Sequence, residues 1–120
     1  MDVTPLMQQL RDFAKDRNWQ QFHSPKNLAM ALAVETSELL ELFQWLTEEQ
    51  SRRIQPDSDD HARCREEIGD ILLYLLRLSD ELQIDPVEAA TSKILTNELK
   101  YPISDARGNA IKYCRRKKKS

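Results

Sequence analysis

The chain has 120 residues, of which 40% are hydrophobic and 32% are charged, and its formal net charge is −2. This length predicts one domain with a modest core, and no apolar run approaches the roughly 20 residues that a membrane span requires. All 20 acidic residues lie in the first 105, whereas residues 106–120 carry seven basic ones. An acidic body argues against nucleic acid as a partner and suits a protein that collects cations.

The cellular setting is indicated by the cysteines and the N-terminus. Cys64 and Cys114 lie outside any CxxC pair and do not indicate a disulfide framework. The first residues lack the basic and apolar regions of a secretory signal. These features predict a reducing, cytoplasmic setting.

Apolar residues recur at helical spacing, which predicts four main helices. Their start signals are Thr4-Pro5, Ser24-Pro25, Ser58 or Asp59, and Asp85-Pro86. The first helix should end near Asn18, the second should carry its leucine stripe to Leu46, the third should end near Gln83, and the fourth should stop before Pro102. Thr47 and Gln50 predict a capping box for a short connecting helix. The expected fold class is an all-α, four-helix bundle.

The third helix has a predicted apolar stripe formed by Cys64, Ile68, Ile71, Leu75, Leu78 and Leu82. The predicted domain covers residues 1–103, and residues 104–120 form a basic tail that we expect to be flexible.

Two pairs of acids fall on these apolar helices. Glu35 and Glu38 share one face of the second helix, and Glu67 and Asp70 have the same three-residue spacing on the third. If the two helices pack antiparallel, the four carboxylates converge and repel one another, which raises their pKa values unless a cation compensates. Mg²⁺ prefers oxygen ligands and commonly shares them with substrate phosphates. The pattern therefore predicts a Mg²⁺ site, with Mn²⁺ as an alternative.

Two other interpretations of the acids compete with a Mg²⁺ site. Glutamate pairs on helices are commonly no more than a solvated face. A di-iron carboxylate site expects E-x-x-H pairs on bundle helices, but Gln20 precedes His23 and Ser58 precedes His61 at that offset.

Four segments in order resemble one known family. The family is the all-α nucleoside triphosphate pyrophosphohydrolases, the MazG-like superfamily, whose motif of E-x-x-E and then E-x-x-D is matched by "ETSELLELFQW" and "EEIGDILLYLL". Its dCTP pyrophosphatase-like branch has opening and closing segments similar to "RNWQQFHSPKNLAMAL" and "SKILTNELKYP". The similarity runs from about Phe13 to Pro102. Val34 stands where many MazG proteins carry a further Glu, a departure that this branch tends to share.

The resemblance implies a MazG-like bundle whose core is completed by a dimer or tetramer, with sites shared between subunits. It implies Mg²⁺-dependent cleavage of a nucleoside triphosphate, with dCTP or a modified dCTP as the expected substrate, to the monophosphate and pyrophosphate. Glu35, Glu38, Glu67 and Asp70 are the implied metal ligands. Glu38, with Glu35, is the expected catalytic carboxylate that orients or deprotonates the attacking water.

Aromatic and basic residues are predicted to bind the substrate. By resemblance, Trp19 and His23 line the nucleoside pocket from a loop. Helical spacing puts Trp45 two turns after Glu38 and Tyr74 one turn after Asp70, on the metal face. A site that binds the phosphates and the base of the substrate is predicted near the end of the fourth helix. Its residues are Lys93, Asn97, Lys100 and Tyr101.

Two other functions stay open at this point. One is a non-catalytic helical interaction module, and the other is an all-α phosphohydrolase with another nucleotide preference, such as dUTP. The closing segment "SKILTNELKYP" favours the dCTP pyrophosphatase-like interpretation over both.

Overall fold

The computed structural model describes residues 1–111, and every regular element in that range is a helix. These elements are α1 (Thr4–Asp16), a 3₁₀ helix (Gln20–Phe22), α2 (Pro25–Phe43), α3 (Glu48–Arg52), α4 (Asp59–Glu81), α5 (Pro86–Lys100) and α6 (Ile103–Ala106). The predicted all-α fold class is confirmed. No described helix is both long and apolar enough to cross a membrane.

The helix starts follow the predicted capping residues except at α1. The Ser24 hydroxyl accepts a hydrogen bond from the backbone N–H of Asn27 at 3.1 Å. The capping box is confirmed, since Thr47 accepts from the Gln50 N–H at 3.1 Å and the Gln50 side chain accepts from the Thr47 N–H at 2.9 Å.

At α1 the predicted cap is displaced by one residue. Thr4 is already helical and Val3 takes the N-cap position. The Asp2 carboxylate accepts the Thr4 N–H at 2.9 Å and so satisfies one of the donors that the first turn of a helix leaves without an internal partner.

The end of α2 differs from the prediction. The leucine spacing extended the helix to Leu46, but the helix ends at Phe43 and a turn follows, in which the Leu46 N–H donates to the Phe43 carbonyl at 2.9 Å. Leu46 and Trp45 are therefore outside the helix, because the turn that leads into α3 has displaced the helical period.

The described chain separates into two compact units, residues 1–85 and a unit that begins at Pro86, and each is described by itself. In the first unit, α2 and α1 both pack against α4. His23, just before α2, contacts Arg77 near the end of α4, whereas Glu35, midway along α2, lies beside Glu67 in the first half of α4. These contacts confirm the antiparallel pairing of α2 and α4.

The buried apolar residues of the described chain are Ala14, Leu28 and Leu76. The predicted stripe of α4 was partly wrong, because Ile68, Leu75 and Leu82 are exposed. The partly buried face of α4 instead follows Cys64, Glu67, Ile71, Tyr74 and Leu78. This helix is apolar on two sides, so its periodicity alone does not select the side that faces the neighbouring helices.

The second unit contains α5, at the predicted position, and the short helix α6, which the sequence had not predicted. Residues 112–120 of the predicted tail lie outside the described residues. The domain limits of 1–103 and 104–120 stay a prediction.

Replacing a fully buried leucine in the first unit should lower the free energy of unfolding strongly. We expect Leu28→Ala and Leu76→Ala each to cost about 2–5 kcal/mol, because each leaves a cavity among few buried neighbours. The measurement is urea denaturation followed by circular dichroism. Leu40→Ala is the matched control, since Leu40 is 65% exposed on α2. An equal loss at Leu40 would contradict this assignment of the core.

Candidate functional site

Three carboxylates meet where α2 packs along α4. Glu35 and Glu38 lie one turn apart on α2, and Glu67 projects from α4, so that one carboxylate oxygen of each lies within 4.8 Å of the others. These three side chains are here called the acidic cluster. Asp70 does not join the group at that distance, but its charge contributes to raising the pKa of Glu35.

The acidic cluster has an unbalanced negative charge. Burial raises the pKa of Glu35 to about 7 from its ordinary value of 4.5, and contacts with Glu67 and Glu38 act in the same direction. The Oε2 atoms of Glu35 and Glu67 are buried and have no hydrogen-bond partner among residues 1–111. Buried oxygens of this kind need a proton or a cation, since an uncompensated buried charge is strongly destabilising.

The chemistry of the donors fits a hard divalent cation. All the donors are carboxylate oxygens, the ligands that Mg²⁺ and Mn²⁺ prefer, and the group contains neither the thiolate nor the imidazole typical of zinc sites. The two unpartnered oxygens supply ligand positions that the protein itself leaves unsatisfied. Glu66 is exposed and takes no part in the group.

Trp19 and His23 lie side by side in the segment between α1 and α2. The Trp19 ring meets the Phe13 ring edge-to-face at a centroid distance of 5.6 Å and the His23 ring at 6.4 Å. The backbone N–H of Trp19 also donates to the Ala14 carbonyl at 2.8 Å, which fixes the turn after α1. Their predicted role in the nucleoside pocket stays a prediction.

The spacing argument for Trp45 was wrong, although the one for Tyr74 was not. Trp45 lies beyond the end of α2 and is 86% exposed, so it does not continue the helical face of Glu38. Tyr74 lies on the partly buried face of α4, one turn beyond Asp70. The binding of substrate by Trp45 and Tyr74 stays a prediction.

The residues of the predicted phosphate- and base-binding site lie in the second unit. Lys93, Asn97 and Lys100 are on α5, and Tyr101 follows it, with its N–H donating to the Asn97 carbonyl at 2.7 Å. The helical spacing assumed for these residues is confirmed, and their binding of substrate stays a prediction.

The sequence interpretation missed one polar cluster. Arg77, which is 6% exposed on α4, bonds to His23, Asp80 and Glu81, and Asp80 in turn pairs with Arg11 of α1. A signal was present in the sequence, because an arginine that interrupts the apolar run "ILLYLLRLS" requires partners if its helix is buried.

Comparisons with known proteins agree with this architecture. A family model described as the MazG-like family matches residues 30–114. The dCTP pyrophosphatase 1 of Bos taurus is 39% identical over 113 residues, covering 91% of this chain and 67% of the relative. The corresponding Homo sapiens protein is 37% identical and is covered to 66%. The crystal structure of a pyrophosphatase from Archaeoglobus fulgidus is similar with a TM-score of 0.73 at 40% identity, over 83% of this chain and 92% of that one.

The matched region includes both acidic motifs, and it covers more than half of the chain. The chain therefore belongs to the MazG-like family, on the branch that the dCTP pyrophosphatases represent. The resemblance seen in the sequence is thus confirmed, and the chain is a hydrolase. It spans about two thirds of the length of the curated relatives.

The raised pKa of Glu35 predicts how the metal-free protein responds to pH. Because the folded state holds this proton more tightly than the unfolded state, the contribution of Glu35 to stability is fully present below about pH 4.5 and is lost as the pH rises through about 7. Thermal melts in EDTA should show a fall of several degrees across this window. Glu35→Gln should remove most of the fall, whereas Glu66→Gln should retain it. An unchanged slope in Glu35→Gln would contradict the assignment.

Proposed function

We propose that the chain is a Mg²⁺-dependent nucleoside triphosphate pyrophosphohydrolase that cleaves dCTP or a modified dCTP to the monophosphate and pyrophosphate. The observation that carries the proposal is the acidic cluster, in which two buried carboxylate oxygens have no hydrogen-bond partner in the described part of the chain. The choice of dCTP draws support from the relatives, which are named dCTP pyrophosphatase 1. Such an activity suits nucleotide-pool sanitation in a cytoplasmic setting.

The carboxylates differ in solvent exposure, and we assign their roles accordingly. Glu35, Glu38 and Glu67 would hold the metal, and Asp70 is its fourth ligand by resemblance. When bound, Mg²⁺ supplies positive charge to the phosphate oxygens and lowers the pKa of a bound water. Glu38 is the exposed member of the cluster, so its carboxylate is accessible to the attacking water and can accept its proton. Glu35 is the second predicted catalytic carboxylate and adjoins Glu38 one turn earlier on α2.

Glu38→Gln should abolish turnover while leaving the fold intact. We expect a fall in kcat of at least about 10²-fold, since the amide keeps the shape of the side chain but loses the proton acceptor and a charged metal ligand. The measurement is pyrophosphate release over a panel of nucleoside triphosphates, with Mg²⁺, with Mn²⁺ and with EDTA. Glu66→Gln is the matched control, being the neighbour of Glu67 outside the cluster, and should retain activity.

The same assay separates the alternatives. Release of pyrophosphate from dCTP with Mg²⁺ supports the proposal, whereas a clear preference for dUTP would reassign the substrate. Release of orthophosphate alone would indicate another cleavage position. No metal-dependent hydrolysis of any nucleotide would leave a non-catalytic helical module as the better account.

The proposal includes a homodimer or homotetramer. Few side chains are fully buried within one chain, and apolar residues stay exposed on both long helices, among them Val34, Ile68, Leu72 and Leu75. Exposed apolar faces of this kind are typical of surfaces that a partner covers. Trp45 is also largely exposed, which is consistent with a site that a second subunit completes.

Sedimentation velocity should give the mass of two or four chains of 14.0 kDa. Leu75→Glu should shift the protein towards monomer, because it places a charge on the exposed apolar side of α4. Gln9→Glu is the control, since it adds the same charge at an exposed position on α1. A wild-type protein that is monomeric at micromolar concentration would contradict the assembly.

A further inference from the structure

Arg77 is a buried charge whose guanidinium is held by three groups. Its Nε donates to Nδ1 of His23 at 3.2 Å, its Nη1 to Oδ2 of Asp80 at 3.2 Å, and its Nη2 to Oε1 of Glu81 at 2.6 Å. The two acids lie three and four residues further along α4, on the same face. Three bonds in three directions leave the planar guanidinium little freedom to rotate.

One of these partners is anchored from another helix. Arg11 of α1 donates to both oxygens of Asp80, at 2.6 and 2.7 Å. The four side chains Arg11, Arg77, Asp80 and Glu81 carry two positive and two negative charges, so this arginine quartet is electrically balanced. The quartet therefore needs no external ion, unlike the acidic cluster.

The quartet determines the protonation of His23. A guanidinium has only N–H donors, so Nδ1 of His23 must accept and cannot carry a proton. The proton of the neutral ring is then on Nε2, on the ring edge directed away from Arg77. Burial lowers the pKa of His23, the charge of Arg77 lowers it further, and Glu81 opposes them.

We propose that Arg77 is a positioning residue that holds His23 as a neutral imidazole with its proton on Nε2, so that His23 presents one directed donor to an acceptor oxygen of the nucleotide. The part that concerns the nucleotide rests on the proposed function, and the part that concerns the ring does not. The Trp19 ring, edge-to-face with His23 at 6.4 Å, restricts the imidazole from a second side. A neutral imidazole N–H donates one hydrogen bond without adding a positive charge to the site, so its contact depends on the position of the acceptor, such as a carbonyl oxygen of the base.

The first experiment is an NMR titration of the whole protein. The chain has two histidines, so the ring signals of His23 must be separated from those of only one other residue, His61. Long-range proton–nitrogen spectra should show His23 in the Nε2–H form, with a pKa below the ordinary histidine value of 6.5. The Nδ1–H form, or a His23 pKa above 6.5, would overturn the proposal without any variant.

Two variants separate positioning from a structural role. Arg77→Met removes every donor, so His23 should show a mixture of tautomers and a pKa that rises towards the ordinary histidine value of 6.5. Arg11→Gln breaks the link between α1 and α4 but keeps the bond from Arg77 to His23, so the tautomer should be unchanged even if the melting temperature falls. An unchanged His23 tautomer and pKa in Arg77→Met would overturn the proposal.

The nucleotide contact is tested by kinetics on the same variants. Arg77→Met should raise KM by about tenfold, the effect of one hydrogen bond, with kcat within about twofold of wild type. His23→Gln places an amide N–H near the position of Nε2 and should retain more affinity than His23→Asn, while His61→Gln should be silent. Equal losses in the Gln and Asn variants would overturn the contact. If the wild-type protein releases no pyrophosphate, the nucleotide contact fails with the proposed function, and the titration still decides whether Arg77 positions the ring.

Discussion

The packing of α2 along α4 forces three carboxylates to within 4.8 Å of one another, and the rest of the site depends on that constraint. The apolar contacts that hold the two helices together also fix the spacing of the acids, so the carboxylates cannot separate unless the helices do. This crowding of negative charge is unfavourable, as two observations indicate. The pKa of Glu35 is raised to about 7 by burial, and two buried carboxylate oxygens have no hydrogen-bond partner among the described residues. A group in that state binds either a proton or a cation near neutral pH. The acids therefore lie against an apolar helix face because the packing of α2 on α4 holds them close together, in a position where they can bind a ligand.

The same pair of helices also carries a polar cluster around Arg77, near the end of α4, in which positive and negative charges balance. Arg77 is buried, with 6% of its surface exposed, but its charge is matched within the chain and its Nε, Nη1 and Nη2 atoms each donate to neighbours from α4 or from the segment before α2. The acidic cluster, midway along α2, thus has a surplus of negative charge and requires a cation, while the polar cluster near the end of α4 is complete without one. Since α1 is tied to α4 through Asp80, the balanced end is also where three elements of the first unit are linked.

Features that depend on helical spacing within one segment could be predicted from the sequence. Features that depend on contacts with another segment of the chain could not. Glu35 and Glu67 were correctly brought together, because helical period sets the face of each acid and two such faces on adjacent helices must meet. Ile68 was assigned to the wrong side, because a helix that is apolar on two sides does not reveal which side packs first. Trp45 was misplaced because turn geometry, rather than periodicity, ends α2 at Phe43. The contact of Arg77 with His23 could not be foreseen, since the two residues are 54 positions apart in the chain, whereas Asp80 and Glu81 lie at helical spacing from Arg77.

The central claim is that the acidic cluster is a cation site, and the most direct test is anomalous diffraction from crystals grown with Mn²⁺ and a non-hydrolysable nucleotide. The account predicts a manganese peak in contact with Glu35, Glu38 and Glu67, at metal–oxygen distances of about 2.0–2.2 Å. Crystals of Glu66→Gln should give the same peak, and those of Glu67→Gln should give a much weaker one. Full occupancy of a manganese site elsewhere, with the three carboxylates bonded only to one another, would contradict the account.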